Sequence, residues 1–144
     1  MRALVLFIAG MSIFSCSGSR PNHPDIASGR LPACPDRPNC VSSQAEDPAR
    51  RIDPIPYAVS REAAKERLAE IIRSMPRSSI VMRGENYLQV EFKTAVMGFV
   101  DDALFYFDDV RKKIDVRSAS RVGYSDLGAN GKRIERIREK FFAP

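Results

Sequence analysis

The chain has 144 residues, the size of one domain, which excludes two independently packed cores. Hydrophobic residues at 44% and charged residues at 28% exclude a fully disordered chain. Lysine and arginine exceed the acids by 5. These cations are scattered among acids, as in Arg111-Lys112-Lys113 after Asp108-Asp109. That pattern describes a solvated mixed surface, so no nucleic-acid partner is expected. The single histidine, His23, restricts triads, Cys-His pairs and two-histidine metal sites to one residue.

Met1-Arg2 is a basic start, and residues 3–14 form an apolar run. Twelve residues are too short for a permanent membrane helix but suit a signal-peptide core, so residues 1–15 are expected to be a signal peptide. Ile13-Phe14-Ser15-Cys16 resembles a bacterial lipobox, in which the cysteine is acylated and becomes the new N-terminus. Phe14 departs from that pattern, where a small residue is usual. The expectation is a lipid anchor at Cys16, holding the chain on the periplasmic or extracytoplasmic side of a bacterial membrane. Each buried acyl methylene contributes roughly 0.8 kcal/mol. An uncleaved anchor, or an ordinary signal peptide cut nearby, is the alternative. Residues 16–33, with Ser, Gly, Pro and Asn, read as a flexible tether, and His23 within them as incidental.

Cys34 and Cys40 are separated by five residues rich in Pro and Asn, which misses C-x-x-C redox and zinc spacing. In an oxidising compartment a local disulfide is expected, worth roughly 2 kcal/mol by loop closure. Two free thiols are the alternative. No metal and no cofactor are expected.

A helix is expected over residues 60–75, with Ser60 as N-cap, Ala64, Leu68, Ile71, Ile72 and Met75 on one face, and Pro76 as the stop. Residues 79–83 form a strand. In 87–94 the sequence alternates, Leu88, Val90, Phe92 and Thr94 against Tyr87, Gln89, Glu91 and Lys93, as in a half-buried strand. Residues 99–107 and 114–122 supply two more strands around a charged turn. A last helix runs over about 126–142, with Ile134, Ile137 and Phe141 inward and Asp126 as its cap. The fold class is therefore α+β: one antiparallel sheet of about four strands with two helices on one face, in the order α-β-β-β-β-α. A disulfide-closed N-terminal loop precedes it, and residues 34–144 make one globular domain.

Two segments carry more polar residues than packing requires. Asp101 and Asp102 are adjacent on a strand, so they point to opposite faces and form no acid-base dyad. Arg117 and Arg121 share a face, roughly 13 Å apart at about 3.3 Å per residue, opposite to Ser118 and Ser120. That spacing suits cross-strand ion pairs or the two ends of a longer anion. At least one Asp–Arg pair is expected across this hairpin. Ser125 and Asp126 stand at a helix start, where an anion is favoured, but Asp126 would itself fill that place. No nucleophile elbow, P-loop or dinucleotide-binding glycine pattern occurs.

Three motifs in order, Cys34-Pro35-Asp36-Arg37-Pro38-Asn39-Cys40-Val41-Ser42-Ser43-Gln44, Gly98-Phe99-Val100-Asp101-Asp102, and Arg117-Ser118-Ala119-Ser120-Arg121-Val122-Gly123-Tyr124-Ser125-Asp126-Leu127-Gly128 with Arg133-Ile134-Glu135 beyond it, resemble the bacterial and plastid family of domains of unknown function numbered 1499 (DUF1499). The resemblance covers residues 32–142. It supplies no catalytic residues, and it implies that these polar segments are family features. Asn39, Ser42, Asp101, Asp102, Arg117, Ser118, Arg121, Tyr124 and Asp126 are the candidate polar site.

Three functions compete. The first is a membrane-tethered, non-catalytic binding or assembly module of the cell envelope, with an envelope protein or an anionic small ligand as partner. The second is a small hydrolase or isomerase using Asp101 or Asp102 with Arg117 or Arg121. The third is hydrophobe binding between sheet and helices, prompted by Phe99, Phe105, Tyr106 and Phe107.

Overall fold

The Ser60 hydroxyl accepts the Ala63 N–H at 3.2 Å and starts the first helix, α1 (Arg61–Ser74), as the sequence predicts. Ala64, Leu68, Ala69 and Ile72 are buried along its inner stripe. The computed structural model describes residues 18–144. The signal peptide expected over 1–15 and the acylation expected at Cys16 lie outside the described residues.

Six strands follow one another in chain order: β1 (Cys40–Ser42), β2 (Ile55–Pro56), β3 (Ser78–Arg83), β4 (Tyr87–Lys93), β5 (Val100–Asp108) and β6 (Lys113–Ser120). They make one antiparallel sheet in the order β1-β6-β5-β4-β3, with β2 also on the outer edge of β6. The expected four strands are β3 to β6. The two additional strands have three and two residues, too few to show an alternation. They cover the β6 edge in two pieces, Cys40–Ser42 against Ala119, Ser118 and Arg117, and Ile55–Pro56 against Ile114 and Lys113. This closes a sheet edge that would otherwise present unpaired backbone.

The second helix, α2 (Ala129–Phe142), begins three residues later than expected. Leu127 and Gly128 both have left-handed backbone, with φ of 53° and 78°, so the helix cannot include them. Asp126 still serves the helix start from outside, accepting the N–H groups of Gly128 and Asn130 at 3.0 and 2.8 Å. Both helices lie on the face made by Leu88, Val90 and Phe92 of β4, Ala103, Phe105 and Phe107 of β5, and Ile114 and Val116 of β6. Phe105 and Phe107 are fully enclosed core side chains.

Residues 18–33, expected to be a tether, lie instead across the opposite face of the sheet. Ile26 and Leu31 are buried there against Leu104, with Tyr87 and Tyr106 packed at the margin. A single-turn 3-10 helix, Pro24–Ser28, is closed by Gly29 at φ 85°. A Cβ on Gly29 would stand 2.8 Å from the Tyr106 ring, so only glycine allows this approach. Two apolar residues among many polar ones are too weak a signal to read as a packed segment. Their partners exist only once the sheet has formed. The consequence for β4 is a second correction. Gln89 and Glu91 are buried as well as Leu88, Val90 and Phe92, so this strand is covered on both faces.

Candidate functional site

The pleat of β5 divides the candidate residues between two clusters. On the helix side, Asp101 receives Arg133 of α2 at 2.6 Å. The Arg133 guanidinium lies over the Phe92 ring at 4.6 Å from its centroid, and its Nη1 donates to Asn130 Oδ1 at 2.9 Å. Asn130 is fully buried. Its Oδ1 also accepts the Ser118 hydroxyl at 2.5 Å. Its Nδ2 faces Asp126 at 2.7 Å, the Ser120 hydroxyl at 3.2 Å and the Asn39 carbonyl at 3.3 Å. Asn39 Nδ2 in turn donates to the Gly123 carbonyl at 2.9 Å. Asn39, Ser118, Asp101 and Asp126 thus converge, and what brings them together is the side chain of Asn130. This cluster ties β1, β6 and the start of α2 into one unit.

On the opposite face, Arg121 makes a two-pronged pair with Asp102, Nε to Oδ2 at 2.6 Å and Nη2 to Oδ1 at 2.7 Å. This is the expected Asp–Arg pair across the β5–β6 hairpin. Arg121 Nη2 also reaches Glu91 at 2.5 Å, and Arg20 of the N-terminal segment closes on Glu91 from the other side at 2.6 Å. The Arg20 bond, with Arg121 behind it, holds the Glu91 carboxyl below its ordinary range. Asp102 in turn raises the pKa of Arg121.

Arg117, on the same face, is different. It is buried, yet no carboxylate among the described residues stands within ion-pair distance. Its Nη2 makes one long bond, 3.4 Å, to the Ala33 carbonyl, and its buried Nε has no partner. Burial pushes its pKa down. His23 is the neighbouring cation-capable group, and its buried Nε2 also has no partner. A cleft of about 480 Å³ opens between residues 31–34 and 42–50, with Glu46, Asp47 and Arg50 in its wall and neither Arg117 nor His23 lining it. Ala33 lines it, as does Ser42, the cross-strand neighbour of Arg117. Ser42 is buried, and its hydroxyl accepts the Gln44 N–H at 3.2 Å.

The His23 pKa is lowered by burial first and by Arg117 second, with Asp102 opposing. A histidine depressed in the folded state contributes stability that is present above its unfolded value of 6.5 and is lost as pH falls toward the folded value. The chain has no other histidine. Thermal stability is therefore expected to decline as pH falls below about 6.5, and His23→Gln is expected to flatten that decline. Equal slopes in the two proteins, followed by circular dichroism, would show that His23 keeps its ordinary affinity for protons.

Tyr124 stands apart at 72% exposure, lining a smaller cleft of about 290 Å³ with Asp36, Arg37 and Asp126. The sulfurs of Cys34 and Cys40 are at bonding distance, 2.08 Å, as the spacing predicts. A protein-family model described as "Protein of unknown function (DUF1499)" matches residues 30–141. The chain belongs to the DUF1499 family. All nine candidate polar residues lie inside the matched DUF1499 span. No curated protein matches the chain. Of the described residues, no group of three or more His, Cys, Asp or Glu side chains is placed to hold a metal ion. No helix among them is long and apolar enough to cross a membrane.

Glu91, Asn130 and Arg133 are the members of these DUF1499 clusters that sequence reasoning missed. Asn130 carried a usable signal. It falls in helical register with Ile134, Ile137 and Phe141, so a polar side chain occupies the buried stripe. Glu91 carried none, because its face of β4 looked solvent-exposed until residues 18–33 covered it.

Proposed function

We propose that this protein is a cell-envelope lipoprotein, held on the extracytoplasmic side of a bacterial membrane through acyl chains on Cys16, whose domain is a non-catalytic module that binds an anionic ligand at Arg117. The observation that carries the reading is the buried guanidinium of Arg117, which meets no carboxylate at ion-pair distance among the described residues and reaches only the carbonyl of Ala33, a residue of the cleft wall. Burying a charge without a partner is costly, and an anion reaching the guanidinium past Ala33 and Ser42, which line the cleft together with Glu46 and Asp47, would supply what Arg117 lacks. Asp101 and Asp102 support binding over catalysis. Each is already held by an arginine, which leaves neither as an available acid or base.

Two measurements test this. Arg117→Met is expected to melt at or above the wild type, because it removes a desolvated charge and keeps the aliphatic volume. In a spectrum of arginine Nε–H groups, the Arg117 signal, assigned by its loss in that variant, is expected to shift saturably with inorganic phosphate or citrate. An Arg117 signal indifferent to both anions, together with a destabilised Arg117→Met, would overturn the ligand reading in favour of a structural arginine. The tether is tested separately by metabolic labelling with a fatty-acid probe. The wild type is expected to be marked and Cys16→Ala spared, and equal labelling would remove the lipoprotein.

A further inference from the structure

The end of the sheet where β4 and β6 finish and β5 and α2 begin carries a feature that the Arg117 site does not use. A cleft of about 380 Å³ is lined there by Arg77, Lys93, Lys132, Arg133 and Arg136, with no carboxylate in its lining. Arg133 is turned inward to Asp101. Arg77, Lys93, Lys132 and Arg136 are exposed and make no ion pair among the described residues. Like charges gathered around one cleft repel, and a multivalent anion or an anionic surface relieves that repulsion.

The same end is unusually apolar. The connection between β4 and β5 exposes Val96 at 92% and Met97 at 65%, and Ala95 from this loop lines the cationic cleft. The connection from β6 to α2 adds exposed Tyr124 and Leu127. Four of the eight large hydrophobic side chains exposed among the described residues therefore sit at this end. Gly18, the first described residue, lies there too, against the Arg121 and Val122 side chains. Cys16 is only two residues upstream.

We propose that this end is the membrane-docking face of the protein. Arg77, Lys93, Lys132 and Arg136 would hold anionic lipid headgroups, while Val96 and Met97 enter the interface beside them. Basic residues at a membrane surface are drawn to anionic lipid, and exposed apolar side chains add to that attraction when they enter the bilayer boundary. The occupant is an anionic bilayer, because cations, exposed apolar side chains and Gly18, two residues after Cys16, share one end. A soluble phosphate would need only the cations. The proposal rests on the lipid tether proposed above. It gives that tether an orientation, with the Cys34–Cys40 loop near the membrane and the β5–β6 turn pointing away.

The chain contains no tryptophan, so Met97→Trp in the full-length protein supplies a single reporter. The protein is reconstituted with vesicles of phosphatidylcholine alone or mixed with phosphatidylglycerol, and vesicle flotation is read beside emission. On anionic vesicles the emission is expected to shift to the blue and to be quenched by brominated lipid. Added salt, or Lys93→Glu with Lys132→Glu and Arg136→Glu, should return it to the solvent-like value. The salt arm needs no further substitution, so it stands even where the charge-reversed protein fails to fold. Protein that floats with solvent-like emission on both lipids keeps its tether and overturns the docking face. A blue shift equal on both lipids and insensitive to salt also overturns it. Flotation and blue shift on anionic vesicles only, with none on phosphatidylcholine, supports the docking face and removes the tether.

Discussion

Arg121→Leu is expected to lower the melting temperature by on the order of 10–20 °C. The Arg121 side chain is 8% exposed, and it joins Asp102 at 3% and Glu91 at 11%. Removing the cation leaves Asp102 without its two-pronged partner and Glu91 with Arg20 alone. Breaking a buried pair from one side costs about 3–5 kcal/mol, and each kcal/mol corresponds to roughly 2–8 °C in a domain of this size. Arg121→Lys keeps the charge but not the planar fork, and an intermediate loss is expected. Glu91 also sets a pH dependence. Its carboxyl is held below the ordinary 4.5 by Arg20 first, with Arg121 adding to the effect. A depressed carboxylate contributes stability that is present above its unfolded value and is lost as pH falls through its folded value. The gap between wild type and Arg121→Leu should therefore narrow on acidification below about pH 4.5, as the carboxylates protonate in both proteins. Melting curves at neutral and acid pH measure this. An Arg121→Leu protein that melts with the wild type at pH 7 would show that the pair contributes nothing net.

The second large effect is expected at Asn130. Asn130→Ala should cost about 2–4 kcal/mol, because it strands buried partners and leaves a small cavity. The Ser118 hydroxyl loses its acceptor, Arg133 loses one of its two anchors, and Asp126 keeps only backbone donors. The contact between Ser118 and Asn130 predicts non-additivity. Once Asn130 is gone, Ser118→Ala should cost little more, since its hydroxyl is already unsatisfied. Chemical denaturation of the two single variants and the double variant measures the coupling. Strict additivity would mean that Ser118 finds another partner, and it would remove Asn130 as the centre of the helix-side cluster.

These two arginine positions, 117 and 121, looked equivalent in the sequence. They share a face, lie four apart, and both follow two aspartates in the preceding strand. The structure separates them by what stands opposite. Arg121 lies just past the end of β6, within reach of Asp102 and Glu91, whereas Arg117 is paired in register with Leu104 on one side and Ser42 on the other. No carboxylate stands directly opposite it in either neighbouring strand, and Asp102 acts on it only from a distance. The difference comes from register, which places an acid beside one arginine and an apolar residue beside the other.

Local chemistry made the central elements legible. The stripe of α1 and its Ser60 cap, the alternation in β4 and the charged turn at 108–112 are each written within a few consecutive residues. So is the Cys34–Cys40 pair, whose separation is set by a short loop. The polar residues of the candidate site were legible as residues and not as partners. The sequence predicts at least one Asp–Arg pair across the hairpin without saying which aspartate makes it; Asp102 does, whereas Asp101 meets Arg133, 32 positions away on a helix. The short strands β1 and β2, too brief for a period, exist because the β6 edge accepts them. Spacing along the chain encodes the two helices, the four-stranded meander and the apolar face of β4, because each is a local pattern. That residues 18–33 cover the second face, burying Glu91, Arg117 and part of His23, emerges only once the sheet is assembled. That burial requires a surface assembled from Leu104, Tyr87 and Tyr106 on two strands, and no local pattern within 18–33 encodes it.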